Sequence, residues 1–250
     1  MEKRGQVTLF IILGIFILVA AGTAFYYKGE FLKDRLLSVT KAAVFPENVQ
    51  LLKDELSSCY LVTAQEGLIL LGRQGGYIFP PEGSLETGAN VISYAYDKKA
   101  RVPSLQAMAG ELQEYMDLML PLCPNFDAYS NLNVEEGAPR TSVSITEDKV
   151  KFMTRYAVSM MSGNDTFRIS EPYAATMDVK LSKLQDATEK IAMKVAQKPD
   201  TIDPEYLLTL GLPVDIIPYD RDTAVYLLQD PQSKLPIGGE PFIYMFATRK

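Results

Sequence analysis

The chain has 250 residues, of which 47 % are hydrophobic and 22 % are charged, and its formal net charge is −6. This composition is typical of a folded protein with a sizeable core, and the negative charge gives no electrostatic support for binding nucleic acid or an anionic lipid surface. Histidine is absent, which removes the commonest general base and the commonest transition-metal ligand.

The chain begins with a predicted membrane anchor. Lys3 and Arg4 precede an apolar run from Val7 to Tyr27 that contains no charged residue. In a helix, at about 1.5 Å per residue, this run is long enough to cross the roughly 30 Å hydrocarbon core of a bilayer. The basic residues favour a cytoplasmic N-terminus and an extracytoplasmic C-terminal domain. We therefore predict a single-pass protein of the cell membrane that contacts lipid through this run.

The first ten residues also resemble a processing signal. The order Lys3-Arg4-Gly5-Gln6-Val7-Thr8-Leu9-Phe10 resembles the class III signal of archaeal type IV pilin-like proteins, in which the cut falls before the apolar helix. The resemblance implies cleavage after Gly5 and a mature chain that begins at Gln6. Phe10 stands where bacterial-type pilins have a glutamate, although archaeal members often lack that acid. An uncleaved signal anchor is the alternative.

The helical pattern is predicted to continue beyond the membrane. Apolar residues recur at helical spacing from Phe31 to Val39, up to a break at Phe45-Pro46. The chain is therefore divided into an anchor at residues 1–30, a helical stalk at 31–45 and an extracytoplasmic domain at 46–250. The apolar stripe of the stalk packs either on the chain's own domain or against another molecule, in a homo-oligomer or with an envelope protein.

The extracytoplasmic domain contains two cysteines. Cys59 lies within a predicted helix at residues 47–71, and Cys123 follows a second predicted helix at residues 103–120. In an oxidising compartment, a disulfide between them would pin the helices together and close a loop of about 64 residues, which the chain-entropy relation values at roughly 4 kcal/mol. Two buried free thiols are the alternative. Two thiols without histidine make only half a zinc site, so no metal or cofactor is predicted.

A glycine-rich segment follows the first of these helices. Because Gly72, Gly75 and Gly76 follow a helix rather than a strand, and the Lys-Ser/Thr of a P-loop is missing, a helix end and a turn are predicted instead of a phosphate site. This segment, with Cys59 and Gly67-Leu68 before it, is similar to archaeal membrane-anchored proteins that carry the same kind of leader. That likeness implies no activity.

The rest of the domain alternates between helices and strands, which predicts an α+β fold of mixed helices and antiparallel sheet. Met108, Met116 and Met119 on the second helix are predicted to pack in the core rather than to form a binding surface. Asn164 begins an Asn-Asp-Thr glycosylation pattern. The predicted strands cover residues 90–97, a hairpin at 142–158, then 166–169, 173–179, 214–218, 224–228 and 242–248, and the predicted helices cover 181–196 and 203–210.

Catalytic groups would have to come from acids. The two local gatherings of carboxylates are Glu135-Glu136 and the cluster of Asp215, Asp220 and Asp222. The cluster lies between two predicted strands, where a turn with solvated charges is expected, and the spaced ligands of a calcium loop are missing. Ser57-Ser58 lies on a helix without a nucleophile elbow. We therefore predict a structural or binding protein of the cell envelope rather than an enzyme. A pilin-like filament subunit and a carboxylate-dependent envelope hydrolase are the alternatives.

Overall fold

The computed structural model describes residues 47–88, 90–129, 132–163, 165–170, 172–199 and 203–250. They belong to one compact unit, Glu47–Lys250, which combines helices with mainly antiparallel sheets and confirms the α+β class. The predicted anchor and stalk, the leader residues Gly5 and Gln6, and the glycosylation candidate Asn164 lie outside the described residues. Within the described ranges, no helix combines the length and the apolar composition that a membrane span requires.

The helices agree with the apolar periodicity of the sequence. Their bounds are α1 Glu47–Arg73, α2 Leu105–Met119, α3 Leu181–Gln197 and α4 Pro204–Thr209, and 3-10 helices cover Leu120–Leu122 and Phe126–Tyr129. Helix α2 starts after Ser104, whose side chain accepts the N–H of Ala107, and α4 starts after Asp203, which caps Tyr206 in the same way. Such caps satisfy backbone donors that a helix leaves unpaired in its first turn.

The strands are β1 Leu85–Glu86, β2 Val91–Ile92, β3 Tyr94–Asp97, β4 Lys99–Ala100, β5 Asn133–Glu136, β6 Arg140–Ile145, β7 Val150–Arg155, β8 Val158–Ser162, β9 Asp165–Ile169, β10 Tyr173–Met177, β11 Val214–Pro218, β12 Thr223–Lys234 and β13 Pro241–Arg249.

A five-stranded sheet has the order β11-β12-β13-β3-β4. Neighbouring strands in it are antiparallel except β13 and β3, which run parallel and pair Ala247 with Tyr94. The sequence did not predict this parallel contact between distant segments.

Two three-stranded antiparallel sheets have the orders β5-β8-β9 and β10-β7-β6. Their strands alternate along the chain, so that the chain passes from one sheet to the other between β5 and β6, between β7 and β8, and between β9 and β10. The predicted hairpin at residues 142–158 is present as β6 and β7, but its second strand is interrupted at Tyr156 and continues as β8. The N–H of Gly137 donates to the carbonyl of Ala157 at 2.8 Å and links the two sheets across this break. The buried Tyr156 side chain marks the interruption.

Helices α1 and α2 are antiparallel, since positions 76, 67 and 59 of the first segment face positions 108, 115 and 123 of the second. Met108 and Met116 are fully buried, as predicted. The prediction was wrong for Met119, which is 38 % exposed, because α2 ends there and Leu120 occupies the next buried position.

The glycine-rich segment is a buried turn that packs on β13. Gly75 and Gly76 have φ angles of +75° and +89°, a region that favours glycine. A Cβ on Gly72 would lie 2.5 Å from the Phe242 ring, and one on Gly76 would lie 2.5 Å from the Tyr244 hydroxyl. The predicted turn is therefore confirmed, although α1 includes Gly72 and ends at Arg73.

Candidate functional site

An open cleft of about 620 Å³ lies at one end of the five-stranded sheet. Its walls come from the loop leading into β1, from the turn between β11 and β12, and from the ends of β3 and β13. Tyr94 and Arg249 form one wall, and Glu86, Arg221 and Asp222 bring charges of both signs to the other sides. The turn between β11 and β12 also borders a smaller cavity of about 230 Å³ on the α3 side.

Arg249 is held in the cleft by two contacts. Its Nε and Nη2 donate to the two carboxylate oxygens of Asp97 at 3.0 and 2.7 Å, and its guanidinium carbon lies 4.7 Å from the centroid of the Tyr94 ring. Asp97 is buried, and the hydrogen bonds from Arg249 hold the pKa of its carboxyl below the usual value. The Arg249 side chain is still 43 % exposed. A guanidinium that is held through its Nε and Nη2 at the lining of an open cleft is suited to binding carboxylate or phosphate oxygens.

Asp220 has a structural role in the same cleft. One of its carboxylate oxygens accepts the N–H of Asp222 at 2.8 Å and the N–H of Thr223 at 2.6 Å. These hydrogen bonds, the one from Asp222 first, lower the pKa of Asp220. The arrangement is an Asx turn, so the prediction of a charged turn between two strands is confirmed. Asp215 is exposed on β11, outside this turn.

The other pair of predicted acids lies elsewhere. Glu135 and Glu136 are on β5, in a different sheet, and the hydroxyl of Tyr156 donates to the Glu136 carboxylate. Burial, and after it this hydrogen bond, raise the pKa of Tyr156. Within the ranges that the structure describes, no three side chains of the Asp, Glu, Cys and His types are grouped so as to hold a metal ion.

The structure places Cys59 and Cys123 in a disulfide with their Cα atoms 5.7 Å apart. Beside this bridge, Glu55 accepts two hydrogen bonds from the segment after α2: the N–H of Asn125 donates at 3.0 Å and the hydroxyl of Tyr129 at 2.6 Å. The second of these raises the pKa of Tyr129 to about 12. The N-terminal half of α1 is therefore fastened to this segment by one covalent bond and two hydrogen bonds.

Sequence reasoning missed the residues that organise the cleft. Tyr94 and Asp97 were predicted only as members of a strand, and Arg249 follows the last predicted strand. Their contact depends on the parallel pairing of β3 with β13, which joins segments from distant parts of the chain. The sequence does place charged and aromatic residues at the ends of predicted strands. That pattern does not indicate which distant residue each of them contacts.

No relative provides a function that could be transferred to this chain. Comparisons with protein-family models, with curated proteins and with solved structures give no match. Two features of the structure bear on function: a guanidinium held in place at an open cleft, and a disulfide that joins the middle of α1 to the segment after α2.

Proposed function

We propose that this chain is a membrane-anchored protein whose extracytoplasmic domain has a binding role at the cell envelope. The observation that carries the proposal is the disulfide between Cys59 and Cys123. Disulfides form and persist mainly in oxidising compartments outside the cytoplasm. The apolar run from Val7 to Tyr27 and the basic residues before it supply the anchor and its orientation.

The cleft supports a binding role. Arg249 is oriented by a buried carboxylate and an aromatic ring, and its side chain lines the open cleft and is 43 % exposed. Of the acids that were candidates for catalysis, Asp220 and Asp222 line this cleft, whereas Asp215 and the Glu135-Glu136 pair lie elsewhere. Asp220 and Glu136 accept hydrogen bonds from the protein itself. We propose an anionic group, a carboxylate or a phosphate, as the ligand feature that this cleft recognises.

The compartment is tested on the full chain in its native membranes. A membrane-impermeant protease is added to intact cells, and the cysteines are alkylated before and after reduction, followed by intact-mass measurement. We expect the domain to be released from intact cells and to be alkylated only after reduction. Protection from the protease, or thiols that react without reductant, would contradict the proposal. A mass that begins at Gln6 would replace the permanent anchor with the pilin-like alternative.

The binding role is tested by photo-crosslinking in intact cells. A photoreactive residue replaces Arg221, which is exposed at the cleft, and a matched variant carries it at Glu189, exposed on α3 outside the cleft. A discrete crosslinked species at position 221 that is missing at position 189 is expected. Its absence at position 221, or equal crosslinking at both, would overturn the assignment of the cleft as a binding site.

A further inference from the structure

The two cysteines of the bridge differ in exposure. Cys59 lies on the buried face of α1 and is only 8 % exposed, whereas Cys123 is exposed just after the 3-10 helix Leu120–Leu122. Thiol–disulfide exchange proceeds by attack of a thiolate on one sulfur, and access helps to decide which sulfur is attacked. The difference in exposure therefore favours attack at Cys123.

The residues near Cys123 in the chain are also exposed. Leu122, the preceding residue, is 75 % exposed, and Leu118, in the last turn of α2, is 55 % exposed. Both are large apolar side chains. A dithiol protein that approaches Cys123 therefore meets an exposed and partly apolar stretch of chain.

We propose that the disulfide is a thiol-exchange site that reacts through Cys123, with a dithiol protein as reductant and its disulfide form as oxidant. In the reducing direction a thiolate of the dithiol attacks Sγ of Cys123, and the bond to Cys59 breaks. Cys59 leaves as a thiolate and takes up a proton. The second thiol of the dithiol then attacks the first, releases Cys123 as a thiolate and leaves the dithiol oxidised by two electrons. Bridge formation is the reverse, with Cys59 as the resolving thiol.

Two features favour re-formation of the bridge after reduction. Cys59 remains fixed in α1. The hydrogen bonds from Asn125 and Tyr129 to Glu55 do not involve sulfur and keep the segment after α2 close to α1. The effective concentration of one thiol near the other therefore stays high.

The direction of attack is tested on the oxidised full chain in detergent. The probe is a thioredoxin-type protein whose resolving cysteine is replaced by serine, so that the mixed disulfide accumulates. Peptide mapping of the adduct is expected to find the probe on Cys123, with an excess over Cys59 of about tenfold or more. An adduct on Cys59, or comparable amounts on both cysteines, would overturn the proposal.

A pair of variants supplies an independent measurement. C59S leaves Cys123 as the only thiol and C123S leaves Cys59, and each is treated with glutathione disulfide. Because the small probe needs no docking surface, the ratio of its rates with the folded and the denatured variant reports how far the fold protects each thiol. We expect C59S to react about tenfold faster than C123S when folded, and the rates to converge in denaturant. Equal rates for the folded variants, with circular dichroism confirming their helix content, would contradict the assignment.

Discussion

The two halves of helix α1 differ in how they are attached. At its C-terminal end, Leu68 and Leu71 are fully buried, and the following turn approaches β13 so closely that only glycine fits. The N-terminal half also buries apolar side chains, Leu52 and Leu56 among them, and in addition a disulfide and the hydrogen bonds to Glu55 join it to the segment after α2. Close packing therefore acts along the whole helix, whereas the covalent bond acts on its N-terminal half.

This difference has a consequence for stability. Close packing stabilises the folded state directly through buried apolar area and dispersion. A disulfide acts mainly by restricting the unfolded chain, although enthalpic contributions are also argued for. The two ends of α1 should therefore respond differently to small changes of side-chain volume and to reductant.

The largest effect is expected from removing the bridge. Replacing both Cys59 and Cys123 by alanine should lower the free energy of unfolding by about 4 kcal/mol, because the closed loop is long. Urea unfolding of the full chain in detergent measures the change, and reduction of the wild-type protein should reproduce most of it. The matched control is S58A, an exposed change on the neighbouring residue of α1, which should stay within about 0.5 kcal/mol of wild type. A loss below that of the control would show that the bridge contributes nothing to stability.

The next largest loss of stability is expected at the glycine turn that follows α1. A Cβ on Gly76 would lie 2.5 Å from the Tyr244 hydroxyl and 2.6 Å from Pro103, at a φ of +89°. Overpacking and the strained backbone together should make G76A less stable by about 3 kcal/mol. Gly83 has a φ of +81° with no atom within 4 Å of its Cβ position, so G83A should lose only about 1 kcal/mol. Equal losses in thermal unfolding of the two variants would mean that backbone conformation alone accounts for the effect at Gly76.

The sequence predicted these local features better than their contacts. Apolar spacing predicted α1 and α2 to within a few residues, because helices with one buried face repeat apolar side chains every three or four positions. The turn at Gly75 and Gly76 was also predictable, but its packing on β13 was not. The same holds for the cleft: Asp220 was correctly predicted in a turn, whereas the approach of Arg249 to Asp97 depends on strand order. Local spacing carries no information about which distant strands become neighbours.

A smaller effect is expected from the hydrogen bond between Tyr129 and Glu55. The pKa of Tyr129 is raised to about 12 in the folded protein, above the ordinary tyrosine value of about 10. Its stabilising contribution is therefore complete below pH 10 and is lost as the pH rises towards 12, because the unfolded state ionises first. The free energy of unfolding of the wild type should exceed that of Y129F by about 1 kcal/mol near pH 8. This difference should shrink across the alkaline range, and a difference that does not change with pH would contradict the role of the hydroxyl.

The smallest effects come from one glycine inside each helix, and they should differ in sign. Gly110 in α2 has no atom within 4 Å of its Cβ position, whereas a Cβ on Gly67 in α1 would lie 2.7 Å from the Tyr115 ring. Alanine restricts the unfolded chain and favours helix, so G110A should raise the free energy of unfolding by about 0.5 kcal/mol. In G67A the same gain is outweighed by the displacement of Tyr115, and a net loss of about 1 kcal/mol is expected. Gains of equal size at both positions, measured by urea unfolding, would show that the contact between α1 and α2 tolerates a methyl group. Close packing would then be confined to the glycine turn on β13.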